Sequence, residues 1–247
     1  MIKTHIRTIL VALFTVVITG CAGLPQQQAY NHQANSHIKR IAVVKPYEPE
    51  EVQVYYFNHP GLQGGLVGAI IAETEFSNKT TEYNAVFARN EFNPVDYLVG
   101  RLEEELKDGD FEVVTIDSNV KEPGVFMTKY PDQDVDAYLD SYFHNYGYFA
   151  GSPEAAYKPT IGLQVRLVDK KTESLLYANQ LITGESFAAR ENSRYIGHTE
   201  IFSFPYFEDL ISSPNLSFEG IKDALDRIAE NLASELAGRT QTVAVKN

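Results

Sequence analysis

The residue types that could do chemistry are few in this chain, and their spacing argues against most of it. Asp132-Gln133-Asp134-Val135-Asp136 has the opening spacing of a calcium loop, in which alternate carboxylates converge on one cation. The continuation lacks what closes such a loop. Ala137 stands at the sixth position, where the sharp turn needs glycine, and Phe143 at the twelfth, where a bidentate glutamate belongs. Helix capping accounts for the same aspartates. His144 and His198 fall in neither an H-E-x-x-H nor a His-x-His pattern. No G-x-S-x-G elbow is present, and 33 acidic residues supply carboxylates without marking out a catalytic pair. The sequence therefore points to no metal, no cofactor and no catalytic set. One cysteine remains, Cys21, and its chemistry is set by what precedes it.

Lys3, His5 and Arg7 stand ahead of an apolar run from Ile9 to Ile18, followed by Thr19-Gly20-Cys21. The run is too short to cross a bilayer as a helix and has the length of a signal-peptide core. A signal peptide that ends in a small residue and then a cysteine resembles the lipobox of bacterial lipoproteins. The resemblance implies that residues 1–20 are a signal peptide cleaved after Gly20, that Cys21 accepts a diacylglyceryl thioether, and that the new amino terminus is acylated. In many enterobacterial-type lipoproteins an aspartate after the cysteine retains the protein at the inner membrane. Here residue 22 is alanine, which implies the outer membrane, facing the periplasm.

Removal of residues 1–20 would leave 227 of the 247 residues, enough to bury a substantial core without disulfides. It would also take away Lys3 and Arg7, moving the formal net charge from −12 to −14. So acidic a surface repels phosphate backbones, which argues against nucleic-acid partners. The expected attachment to a membrane is through the lipid on Cys21, since no basic amphipathic helix is evident.

The remaining elements follow from periodicity. Residues 21–37 (with Gln- and Asn-rich AGLPQQQAYNHQANSH after Cys21) read as a lipidated cysteine and flexible tether, and 38–247 as a single α/β (α+β) domain built on a mixed sheet. Ile38 to Val44 reads as a buried first strand and Val52 to Phe57 as a second. Gly64, Gly68 and Ala72 fall at i, i+4, i+8 of a helix over about 61–72, a small-residue face suited to close approach against a sheet or another helix. Asn93-Pro94 starts a helix with Val95, Leu98, Leu102 and Leu106 on one face, stopped by Gly109. Phe111 to Ile116 is a strand. Thr160 to Leu167 and Leu175 to Thr183 form a hairpin, and Ser217 to Ala237 a closing amphipathic helix.

The lipobox, the tether, the Ile41-Ala42-Val43-Val44 strand, the Pro94-Val95-Asp96-Tyr97 helix start, the late hairpin and the closing helix together resemble curli-assembly-type envelope lipoproteins. These have a core similar to the amino-terminal domain of TolB. The resemblance covers about 38–117 and 158–238. The lipobox, the tether and the absence of a catalytic set point to a non-enzymatic envelope protein that binds or organises other envelope components, as a monomer or an oligomer. The alternative class is a periplasmic hydrolase acting on cell-wall carbohydrate.

Residues 118–157 then read as an insertion, and eight aromatics between Tyr130 and Tyr157 mark it. With Asp134 as cap, 134–146 reads as a helix whose Tyr138 and Tyr142 share one side, while Val135, Leu139 and Tyr146 share another. Tyr138, Tyr142, Tyr148 and Phe149 are the candidate partner-binding residues, for an envelope protein partner. The competing expectation is that these rings complete the domain's own core.

Overall fold

The computed structural model describes residues 27–88, 92–117, 122–189 and 193–239. Its longest strand, β4 (Ala137–Ala150), organises the sheet. Two short strands share one of its edges end to end. β1 (Arg40–Val44) lies parallel to its start, with Ile41 opposite Ala137, and β2 (Gln53–Tyr56) parallel to its end, with Tyr56 opposite Ala150. On the other edge β5 (Lys158–Asp169) runs antiparallel, with a register shift between Phe143 and Asn145. β3 (Glu112–Ile116) adds outside β1, β6 (Leu175–Thr183) pairs with β5, and β7 (Arg194–Gly197) is parallel to β6. The result is a mixed seven-stranded sheet in the order β3-β1-β4-β5-β6-β7. With four helices among the described residues it is an α+β fold, as the alternation of elements implied.

The helices α1 (Gly65–Phe87), α2 (Pro94–Asp108), α3 (Phe207–Ser212) and α4 (Pro214–Ala237) contribute to one continuous core against the sheet. Leu98, Leu102 and Leu106 of α2 and Ile221, Leu225, Ile228 and Leu232 of α4 are buried there with Ile161, Leu163, Val165 and Leu167 of β5. These are the stripes that the spacing picked out. Asn93 caps α2 by accepting from the Asp96 amide at 2.9 Å. Gly238 ends α4 in the left-handed region, φ 69°.

The opposite face of the sheet is covered as well. Asp140 on β4 is fully buried, and its carboxylate accepts from the Met127 amide (2.8 Å) and the Tyr130 hydroxyl (3.0 Å). Arg166, its register partner on β5, donates to the Tyr130 hydroxyl at 2.9 Å and lies 4.5 Å over the Phe126 ring. Tyr130 stacks flat on Tyr138, ring centres 4.5 Å apart. Toward the other end Phe149 and Ile182 are buried with Ala188, and Tyr55 and Phe57 pack against them.

Two expectations are corrected by this arrangement. The helix expected over 134–146 does not exist: from Ala137 the chain is strand, and Asp134 pairs with Arg40 instead of capping. Nor is 118–157 an insertion, since it contains the central strand. A strand covered on both faces needs large side chains on both, so Leu139 and Tyr146 point one way while Tyr138 and Phe149 point the other. The tether assignment also changes in part. Gln28 exchanges two backbone hydrogen bonds with Ala178 (2.9 and 3.0 Å), Asn35 is buried, and His37 reaches Asp169 at 3.1 Å. Residues 27–37 thus lie on the domain.

Tyr148 gives a direct test of the core assignment. Its ring is fully buried against Tyr83 and Phe204, and its hydroxyl donates to the Ser217 carbonyl at 2.8 Å. Tyr148→Ala is expected to destabilise the domain by about 3–5 kcal/mol, read from the denaturant midpoint. Tyr148→Phe is expected to cost about 1 kcal/mol, through loss of the hydrogen bond to the Ser217 carbonyl.

Candidate functional site

β2 delivers the chain to one end of the sheet, where Phe57 and Asn58 still bond to Ala150 and Gly151. A single 3-10 turn, Pro60–Gln63, then leads into α1, which returns alongside β2. The return is fixed by two side chains: the Val54 amide donates to Thr80 Oγ1 (3.0 Å) and the Val52 amide to Asn84 Oδ1 (2.9 Å). At about 1.5 Å per helical residue, Gly65 lies about 22 Å beyond the level of Thr80. Tyr56 lies only about 7 Å beyond Val54 along the strand. The first two turns of α1 therefore project past the end of β2.

This projection is apolar and uncovered. Leu66 is 79 % exposed, Val67 70 %, Ile70 58 %, Ile71 57 % and Leu62 of the preceding turn 53 %. Leu66/Ile70 and Val67/Ile71 are adjacent i,i+4 pairs, so the four form one helix face. No charged residue occurs from Pro60 to Ala72. Phe187, 61 % exposed, follows β6 to the same end, with its ring 6.3 Å from that of Phe57.

The projection is held together by backbone contact. A Cβ on Gly68 would come within 2.0 Å of the Gly61 carbonyl oxygen, and one on Gly61 within 2.5 Å of the Gly68 oxygen. The close approach expected of the glycines is thus real at Gly68, but its partner is the preceding turn. Gly65 opens the helix at φ 66°, a conformation that favours glycine.

A polar network fixes the base of the projection. His59 Nδ1 accepts from the Gly61 amide at 2.8 Å, so Nε2 carries the proton that faces Glu75 Oε2 at 3.0 Å. The other Glu75 oxygen accepts from the Tyr56 hydroxyl (3.0 Å) and pairs with Lys79 (2.9 Å), and Lys79 also donates to the Tyr157 hydroxyl at 3.0 Å. Partial burial raises the Glu75 pKa, but the hydrogen bonds from His59, Lys79 and Tyr56 outweigh it and hold the carboxyl down at about 2. Burial, with the Glu75 charge beside it, pushes the Tyr56 phenol up to about 12.

The residues singled out from the sequence lie elsewhere. Cys21 is outside the described residues. Tyr138, Tyr148 and Phe149 are 4, 0 and 0 % exposed, so they form core and present no contact surface. Tyr142 is half-buried against Phe126 and lines a cleft of about 250 Å³ with Tyr47, Glu48, Glu50, Glu51 and His144. All three carboxylates of that cleft come from one loop, and the β4 residues that line it carry none. Asp132 pairs with Lys170 and Asp134 with Arg40, while Asp136 accepts from the Lys39 and Arg40 amides. Among the described residues no group of three or more His, Cys, Asp or Glu is placed to hold a metal. The apolar projection itself was not anticipated. The available signal was Leu66-Val67 and Ile70-Ile71 in a charge-free, glycine-rich run with no polar face opposite.

No family model matches the chain, and no curated protein does. Among solved structures, a Xanthomonas campestris protein of the DUF330 family is similar at 9 % identity over 87 % of this chain and 94 % of its own, with a TM-score of 0.41. The PelC dodecamer of Paraburkholderia phytofirmans is similar at 11 % identity over 83 % of this chain and 96 % of its own, with a TM-score of 0.30. A single-substitution variant of the same dodecamer gives 12 % identity at the same TM-score. Similarities at this level assign neither a family nor an activity.

Two outcomes are expected of this site. Gly68→Leu must push the 60–63 turn off α1, costing roughly 1–3 kcal/mol as overpacking does, measured from denaturant midpoints. Because the folded Glu75 pKa lies below its unfolded value, its contribution is present above about pH 4.5 and fades as pH falls toward 2. Glu75→Gln should therefore flatten the acid limb of a stability–pH curve over that window.

Proposed function

We propose that the chain is a lipid-anchored, non-enzymatic protein of the bacterial envelope, whose α+β domain binds or organises other envelope components. The observation that carries this reading is the amino-terminal pattern: a basic start, a ten-residue apolar run from Ile9 to Ile18, and Gly20-Cys21 at its end. A thiol in that setting is the acceptor for a diacylglyceryl group, which holds a protein at a membrane without a spanning helix. No helix among the described residues is long and apolar enough to cross one. The negative charge of the chain suits attachment by acyl chains better than electrostatic adhesion to anionic headgroups.

Growth with radioactive palmitate tests the anchor. The wild-type chain is expected to take up label, and Cys21→Ser to lose all of it and to persist as uncleaved precursor. Density-gradient separation of membranes tests the destination, with recovery in the outer-membrane fractions expected from Ala22.

A further inference from the structure

We infer that the cleft between segment 47–53 and the middle of β4 binds an organic cation that carries N–H donors, an ammonium or guanidinium group, and that the Tyr146 hydroxyl is the acceptor at its base. The inference does not depend on the lipid anchor: it assigns a ligand chemistry to the folded domain.

The cleft lies where β1 and β2 leave an interval on β4, since β1 pairs with it only as far as Leu139 and β2 only from Gly147. The chain that connects the two short strands forms one wall, and residues 142–146 of β4 form the other. The deciding observation is Tyr146. It lines the cleft and is 5 % exposed, and its hydroxyl has no hydrogen-bond partner among the described residues. The buried tyrosines on the same side of the sheet are satisfied: Tyr83 donates to Ser217 Oγ at 3.0 Å and Tyr148 to the Ser217 carbonyl at 2.8 Å. A buried hydroxyl left unpaired costs free energy that these two avoid. Burial raises the Tyr146 phenol pKa, and the Tyr83 hydroxyl and the Glu48 carboxylate raise it further. Tyr146 therefore lies within electrostatic reach of a carboxylate that lines the same cleft.

Charge selects the ligand. Glu48, Glu50 and Glu51 line the cleft, and no Lys or Arg does. Asn93 donates to Glu48 at 3.1 Å, whereas Glu50 and Glu51, both exposed, pair with no cation among the described residues. Such a wall repels an anion. Nor do these carboxylates converge as metal ligands must, since among the described residues no group of three or more His, Cys, Asp or Glu is placed to hold an ion. An organic cation needs no such convergence. Its charge is spread over several N–H groups that one loop of carboxylates attracts together, and the Tyr47 and Tyr142 rings offer it π faces. At about 250 Å³ the cleft falls just below the usual range for ligand pockets, roughly 300–1,000 Å³, and admits one small group. Phe143, half-buried and edge-on to Tyr146 with ring centres 5.6 Å apart, is the wall that must turn for a donor to reach the hydroxyl.

The test uses the full chain as cells process it, in neutral detergent at low ionic strength, with isotope-labelled tyrosine rings read by NMR. The Tyr146 resonance is identified by its loss in Tyr146→Phe. Putrescine and a Gly-Lys-Gly peptide blocked at both ends carry ammonium groups, and tetramethylammonium has the charge without a donor. A saturable shift of the Tyr146 signal is expected with an ammonium probe; a preference for the peptide assigns a basic side chain, and a preference for putrescine a free polyamine. Tetramethylammonium is expected to bind about tenfold more weakly than the better probe. Tyr146→Phe, followed through Tyr47 and Tyr142, should weaken that probe by about tenfold, as the loss of one hydrogen bond to a charged group implies. Its denaturant midpoint should equal or exceed that of the wild type, because no bond within the fold is lost. Glu50→Gln combined with Glu51→Gln should weaken binding several-fold at low salt and leave it unchanged at high salt. A lowered midpoint in Tyr146→Phe overturns the inference, since the hydroxyl then has a partner within the fold. Tetramethylammonium binding as tightly as the ammonium probes also overturns it, as does the absence of a saturable shift with either of them. None of these outcomes bears on palmitate uptake, by which the anchor is judged.

Discussion

The constraint on which the molecule depends is that β4 is enclosed at both of its ends, with an open stretch around His144 between them. Its two edges are paired with β1, β2 and β5, and its two faces are covered by the helices and by the segment that contains Phe126 and Tyr130. Inside such an enclosure a polar group must bring its partners with it, and Asp140 does: an amide, a phenol and the Arg166 guanidinium converge on one carboxylate. This arrangement pins an otherwise irregular loop to the sheet. The rings of Tyr130 and Tyr138, stacked at 6°, complete the seal.

The length of β4 has a second consequence. Because β1 pairs only with its first residues, β2 must dock at its far end, opposite Gly147 to Ala150. The chain therefore leaves the sheet at its extremity, and the helix that follows must begin beyond it. Gly147 permits this: a Cβ there would lie 1.9 Å from the Gln53 carbonyl oxygen, so β2 can approach only because that position is glycine. The projecting pole is thus a product of strand register.

What the sequence revealed was set by how many faces each element buries. α2, α4 and the β5–β6 hairpin each bury a regular stripe, and residues such as Leu98, Leu102 and Leu106 mark it without ambiguity. β4 buries both faces, which erases the period of two. Tyr138, Tyr142 and Tyr146 then fit a four-residue spacing as well as a two-residue one, and an aspartate ahead of them mimicked a helix cap. The aromatic content itself was the stronger clue, since tyrosine and phenylalanine favour strands. The same ambiguity hid the extent of α1. Thr80, Tyr83 and Phe87 continue it at i, i+3, i+7, but the polar residues around them blur that stripe, and the reading ended at the last glycine-rich turn. For the candidate site, Cys21 was legible because a motif marks it. The apolar pole was not, because nothing in Leu66-Val67-Gly68-Ala69-Ile70-Ile71 says which helix face the fold leaves open.

α1 is consequently two helices in energetic terms. From Glu75 onward it is tied down by Thr80, Tyr83, Asn84 and Phe87, through hydrogen bonds to β2 and burial in the core. Before that point only Gly68 and Ala72 are buried, and the start rests on the Gly61 carbonyl and the His59 ring. Each glycine weakens a helix by about 1 kcal/mol relative to alanine, and each exposed Leu, Val or Ile forgoes about 1.5–3 kcal/mol that burial would supply. Neither cost is forced by the sheet, since polar residues at 66, 67, 70 and 71 would satisfy every contact that the described domain makes there. Local stability must therefore fall along α1 toward its amino end. The polar network of Tyr56, His59, Glu75 and Lys79 stands at the boundary between the two halves.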